Sequence, residues 1–200
     1  MQKERRVMKK RGVLCKNRIE GISDGVYAIA MTLAVLSIDS EAVSPTHRSL
    51  LDAIPGMANE LRHYLIAFLA LATFWVAQHR MMDKLEKTDS SFNWLVMIHL
   101  LFISLIPVTT DLLGNYNSIL AVHIFIVNVF LISISMSAEQ YYLDRNTRLT
   151  RSREPLVSPY WKVVIVPLYS FLVFAAAWFF KEWATVLYLF VPIIGRYIYN

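Results

Sequence analysis

Apolar residues in this chain come in long runs, and they do not alternate with polar ones. Six stretches, roughly 19–38, 61–81, 92–110, 118–138, 160–180 and 183–199, are dominated by Leu, Ile, Val, Ala, Phe and Met, and most charge falls between them. Runs of ~20 apolar residues match the hydrocarbon core of a bilayer as helices, and they are about twice as long as a barrel strand. Backbone groups in lipid must bond within their own segment, so each run is predicted to be a helix. The expected fold class is therefore an all-α membrane protein with six transmembrane helices per subunit: a basic arm, 1–18, followed by one transmembrane domain, 19–200. The longest polar connections are 39–60 and 139–159. Neither is long enough for a soluble catalytic domain, and "SLLDAIPGM" in the first is predicted to form a short interfacial helix. No internal repeat is visible.

Composition agrees with the pattern. Hydrophobic residues make up 56% of the 200 residues, more than a soluble core of this size can hide. The net charge of +5 invites a nucleic-acid partner, but its distribution argues otherwise. With the N-terminus inside, 17 of the 20 Lys and Arg residues fall on the cytoplasmic side, leaving only Arg48, Arg62 and Lys181 outside. That asymmetry sets orientation, with both termini cytoplasmic, and it removes the reason to expect nucleic acid. The basic arm also suits anionic lipid. The single cysteine, Cys15, excludes an intrachain disulfide. Aromatic residues near the span ends (Tyr160, Trp161, Trp178, Trp183, Tyr197 and Tyr199) read as interfacial anchors. Pro107, Pro167 and Pro192 are candidate kinks, and Ser133 and Ser137 a candidate helix contact.

The first span, within "RIEGISDGVYAIAMTLAVLSID", poses the chemical question. A carboxylate at the position of Asp24, about a turn inside an apolar run, is costly unless paired or wetted, so it reads as functional by default. On a helical wheel of ~100° per residue, Leu33, Leu36 and Thr32 lie within ~60° of Ile29, and Ile22 continues the stripe. Four copies of this helix around an axis would stack rings of branched aliphatic side chains, which gate by dewetting; the bland alternative is an ordinary buried helix face. Gly21, Gly25, Ala28 and Ala30 are expected to give neighbouring helices room to approach. Asp24 lies at ~220° on this wheel, away from the stripe and poorly placed to pair with Arg18. Its expected partners are Trp75, Gln78, His79 and Arg80 on the second span and Asn93 and Trp94 on the third, in a polar knot tying the three spans together.

Enzymatic chemistry finds little footing. Glu20 and Asp24 are spaced as an acid–base or metal pair, but no HExxH or comparable ligand set accompanies them. Glycine-rich phosphate loops and the TVGYG filter are missing from the sequence. His99 and His123 read first as hydrogen-bonded packing residues and second as members of a proton relay with Asp24 and His79.

"RIEGISD" followed by "GVYAIAMTL" resembles the RxxxFSD signature and adjoining pore helix of the transmembrane protein 175 family of lysosomal potassium channels, including its prokaryotic members. "TFWVAQHRMM" and "SLIPVTTDLLGNY" resemble the ends of the family's second and third helices, so the likeness covers 18 to about 117. Ile22 departs from it, standing where the family has phenylalanine. The resemblance implies a cation channel lined by the first helix. Ile29 would be its constriction, Leu33 and Leu36 further rings, and Thr32 a layer linked to ion preference. It also implies that Arg18, Ser23 and Asp24, with Trp75 and His79 nearby, make contacts within and between helices and subunits. Animal members carry two six-helix repeats; a single repeat implies a prokaryotic homotetramer in the cell membrane. Potassium would be its permeant ion, without a cofactor, a catalytic residue or any other metal. The rival expectations are a proton channel or proton-coupled cation transporter, and a membrane scaffold without transport.

Overall fold

The computed structural model describes residues 13–14, 16–37, 50–116, 118–152 and 161–190. Helix α1 runs Lys16–Leu33 and tightens into a 3₁₀ turn, Ala34–Ser37. Then follow α2 Leu50–Asp83, α3 Ser90–Ser104, α4 Ile106–Asn115, α5 Ile119–Arg145 and α6 Trp161–Phe180. A 3₁₀ segment, Lys181–Phe190, ends the described chain. Four stretches are long and apolar enough to cross a membrane: Lys16–Leu36, Glu60–Asp83, Ser90–Asn115 and Ile119–Arg145.

The differences from expectation have local causes. The third span is two helices, because Pro107 at the start of α4 has no N–H to give Ile103 and its ring crowds that carbonyl. The Leu105 N–H turns back instead to Phe102 and Ile103. Pro167, by contrast, lies inside α6 without ending it. The expected interfacial helix, 49–57, has no separate existence, since residues 50–57 open α2. The expected sixth helix, 183–199, is a 3₁₀ segment as far as residue 190, and the remainder lies outside the described residues. Lys181, at φ 51°, sits in the left-handed region and breaks the chain direction after α6.

Two elements at one end of the bundle were not expected. Strand β1, Val13–Leu14, pairs antiparallel with β2, Thr88–Asp89, so the basic arm is pinned to the connection between α2 and α3. Residues 1–12 of that arm lie outside the described residues. Asp89 then caps α3, its carboxylate accepting from Phe92 N at 2.9 Å and from the Tyr142 hydroxyl at 2.9 Å.

The core lies along α5, the most enclosed span, with 56% of its most apolar window buried against 28% for α1. Phe125, Ile126, Val129, Ile132 and Met136 of α5 pack among Phe74 of α2, Val96 and Ile103 of α3 and Val173 of α6. Ser133 bonds back to the Val129 carbonyl and lies 3.3 Å from Ser170 of α6, a close polar contact between these two helices.

Candidate functional site

Helix α1 has one face in and one face out. Ile19, Ser23, Tyr27, Ala30 and, one turn on, Ala34 are buried at three- and four-residue spacing. Ile22, Ile29, Leu33 and Leu36 lie on the other side, with Ile29 at 59% and Leu36 at 71% exposure. Thr32 is exposed with them, and its hydroxyl hydrogen is spent on its own helix, within 3.0 Å of the Ala28 carbonyl and 2.9 Å of the Ile29 carbonyl. Its oxygen lone pairs are left to face outward.

The small residues do not meet neighbouring helices of the subunit as expected. Only Ala30 enters the core, whereas Gly21, Gly25 and Ala28 share the exposed face. A Cβ added at Gly21 or Gly25 would meet nothing within 4 Å. The wheel contains the reason: Gly25 lies ~40° from Ile29, so a face that exposes one exposes the other.

Asp24 finds its partner on α2, where the Trp75 indole N–H donates to Oδ1 at 2.9 Å. The His79 ring stacks on Trp75, with centroids 5.4 Å apart and planes 23° from parallel, and its Nε2 lies 3.4 Å from Asp83. Asp83 is 3.9 Å from the Lys16 ammonium, itself 3.7 Å from Glu20, so the string returns to α1. Arg18 is exposed and joins no ion pair among the described residues. Ser23 is buried but donates only to its own helix, at the Ile19 carbonyl. Asn93, Trp94 and Arg80 do not bond to Asp24, and Gln78 turns the other way.

The tie to α3 and α5 lies deeper, three residues along α1. The Tyr27 hydroxyl is 2.7 Å from His99 Nε2, and His99 Nδ1 is 2.9 Å from Ser135 Oγ of α5. Ser135 donates its hydrogen to the Ile132 carbonyl at 2.9 Å. Its oxygen therefore accepts from Nδ1–H, and Nε2 accepts from Tyr27. Beside this relay stands Glu139: Oε2 accepts from the Gln78 amide at 2.9 Å, and Oε1, 3.9 Å from His99 Nδ1, has no hydrogen-bond partner. Tyr27, Gln78, His99 and Glu139 are each at most 1% exposed.

Sequence reasoning ended the fourth span at residue 138 and put Glu139 in the following loop. Helix α5 instead continues to Arg145 and buries Glu139, Gln140 and Leu143. The signal was present, because Ile132, Met136, Glu139 and Leu143 extend one stripe at three- and four-residue spacing. His123 packs as a structural histidine does, with Nδ1 2.7 Å from the Ile119 carbonyl and its ring edge-on to Phe174 and Trp178. Among the described residues no group of three or more His, Cys, Asp or Glu is placed to hold a metal.

Comparison with known proteins falls on this same region. Residues 18–107, which hold Asp24, Tyr27, Trp75 and His99, match the family described as "Endosomal/lysosomal potassium channel TMEM175". A "Potassium channel" of Chamaesiphon minutus is 32% identical over 104 residues, half of this chain and 49% of that protein. An "Endosomal/lysosomal proton channel TMEM175" of Gallus gallus is 29% identical over 133 residues, 60% of this chain and 26% of that protein. The matches thus span about half the length of the bacterial relative and a quarter of the animal one. The crystal structure of a lysosomal potassium-selective channel TMEM175 homolog from Chamaesiphon minutus superposes with a TM-score of 0.75, covering 92% of this chain and 98% of that one. At 22% identity that likeness establishes the fold.

Proposed function

We propose, from the premise that residues 18–107 belong to the endosomal/lysosomal potassium channel TMEM175 family, that this chain is a potassium-preferring cation channel. Four copies surround an axis lined by the outward face of α1, and ions pass down their gradient without a cofactor. The observation that carries this reading is that Ile29, Thr32, Leu33 and Leu36 all lie on the side of α1 that the subunit leaves open. Bare space at Gly21 and Gly25 on that side supports close approach of four such helices.

The chemistry follows from the side chains. Rings of Ile29, Leu33 and Leu36 present no hydrogen-bond partner to water, so the constriction dewets and a cation crosses only by shedding part of its hydration. Thr32, with its hydrogen committed to the helix, offers lone pairs to the passing ion between those rings. The bias of Lys and Arg supports a cell-membrane orientation with both termini cytoplasmic. Asp24, held by Trp75, fixes the entrance end of α1 without a charge on the axis.

Potassium flux into liposomes reconstituted with the protein is the test. Flux is expected with no proton gradient, and Ile29→Asn is expected to wet the constriction and weaken the preference for potassium over sodium. Reversal potentials unaltered by Ile29→Asn under bi-ionic conditions would remove Ile29 as the filter. The second reading, a proton channel or proton-coupled transporter, is favoured by the name of the animal relative and by the buried histidine beside α1. Proton flux without potassium flux would select it. Flux of neither ion leaves a scaffold.

A further inference from the structure

The polar cluster in the middle of the subunit has no part in lining a conduit on the exposed face of α1, yet it touches that helix. We infer that Glu139 and His99 form a proton-binding site, and that its occupancy is transmitted to α1 through the Tyr27 hydroxyl. The conduction half of this inference rests on the channel reading above; the proton-binding half does not.

The Glu139 carboxyl is fully buried, it takes one hydrogen bond, from Gln78, and its other oxygen has none. No lysine or arginine pairs with it among the described residues. The groups facing the pair are Tyr27 from α1, Gln78 from α2, His99 from α3 and Ser135 from α5 itself. Among the described residues, α4 and α6 contribute no hydrogen bond or ion pair to either group. A carboxylate so placed is an uncompensated charge in a dry interior. One added proton removes that charge, either on Glu139 as the neutral acid or on His99 as an imidazolium 3.9 Å from the carboxylate. Both arrangements hold the same single proton and differ only in which atom carries it.

Transmission follows from donor and acceptor count. With His99 neutral, Nδ1–H is committed to Ser135 and Nε2 accepts from Tyr27. A proton on Nε2 turns that atom into a donor, so the Tyr27 hydroxyl must rotate its hydrogen away and accept in its place. Tyr27 stands on the buried face of α1, two residues before Ile29 on the open face. A change in how Tyr27 is held is therefore a change in how that face is presented. This cluster is also separate from the Asp24 string, which sits at the exposed edge and joins α1 to α2 alone.

Two measurements test it on the intact reconstituted protein. In infrared difference spectra taken between about pH 8 and about pH 5, the wild type is expected to show the carbonyl stretch of a buried neutral carboxylic acid, and E139Q to lack that band. In liposomes, wild-type potassium flux is expected to change over the same range. E139Q, which removes the carboxylate an imidazolium at His99 would face and so keeps His99 neutral, is expected to be flat at the level the wild type reaches at its alkaline end. Y27F, which keeps the ring but loses the hydroxyl, is expected to retain the infrared band and lose the pH dependence of flux. A band that persists in E139Q overturns the proton site, and a flux profile unchanged in both variants overturns its coupling to α1. If the wild type conducts no potassium, the channel reading fails together with that coupling, while the infrared arm still decides the site.

Discussion

Asp24 and Tyr27 stand three residues apart on α1, and each ties that helix to a neighbour, yet the two ties live in different solvents. Asp24 and its companions Trp75, His79, Asp83 and Lys16 form a string in which Asp83 is 60% and His79 44% exposed. Tyr27 enters a relay with His99, Ser135, Glu139 and Gln78 that excludes solvent almost entirely. A lost hydrogen bond at the edge is replaced by water or lipid headgroup, whereas one lost in the relay leaves a bare polar atom. The residue types are similar, so burial rather than chemistry sets how much each tie contributes.

Substitution should separate the two. His99→Ala removes a buried ring together with its hydrogen bonds to the Tyr27 hydroxyl and Ser135, so the thermal midpoint of the detergent-solubilised protein should fall by the equivalent of about 3–4 kcal/mol. Gln78→Leu leaves Glu139 without its donor and should cost about 2 kcal/mol, with partial recovery when Glu139→Leu is added, because removing both partners of a buried bond leaves no orphan. At the edge, Trp75→Phe deletes the donor to Asp24 and should cost about 1 kcal/mol in the same melt. Lys16→Met should cost at most ~0.5 kcal/mol, and that difference should vanish in high salt. Were Trp75→Phe to cost as much as His99→Ala, the contrast would be broken. Loss of oligomer without loss of subunit stability would instead point to an edge string that acts between copies.

Much of this architecture was legible along the chain. Four of the six predicted spans have the length and hydropathy to cross a membrane, because a 20-residue apolar run has few alternatives to a helix. The orientation of α1 was legible in part. The wheel grouped Ile29, Thr32, Leu33 and Leu36 on one face, and all four are exposed, but Gly21, Gly25 and Ala28, expected to face neighbouring helices of the subunit, share that open face. Depth along the spans put Trp75 among six candidate partners of Asp24, and only packing selected it. Glu139 was missed, because a charged residue followed by "QYYLDR" reads as the end of a span until its place in the stripe from Ile132 to Leu143 is noticed. The final 3₁₀ segment and the pairing of Val13–Leu14 with Thr88–Asp89 had no readable signal, since two-residue strands and helix type depend on what the backbone lies against.

The sequence by itself determined that this chain enters a membrane, where its spans run, and that its first helix carries a carboxylate and a stripe of branched aliphatic residues. These are properties of single segments, decided by transfer free energy and by 3.6-residue periodicity. Only the tertiary structure decided which side of α1 is covered, that Asp24 meets Trp75 at the edge, and that Tyr27, His99 and Glu139 meet in the interior. Those outcomes depend on how α2, α3 and α5 rotate and close around one another, and the rotation is settled by packing between residues up to 72 positions apart, which no local pattern encodes.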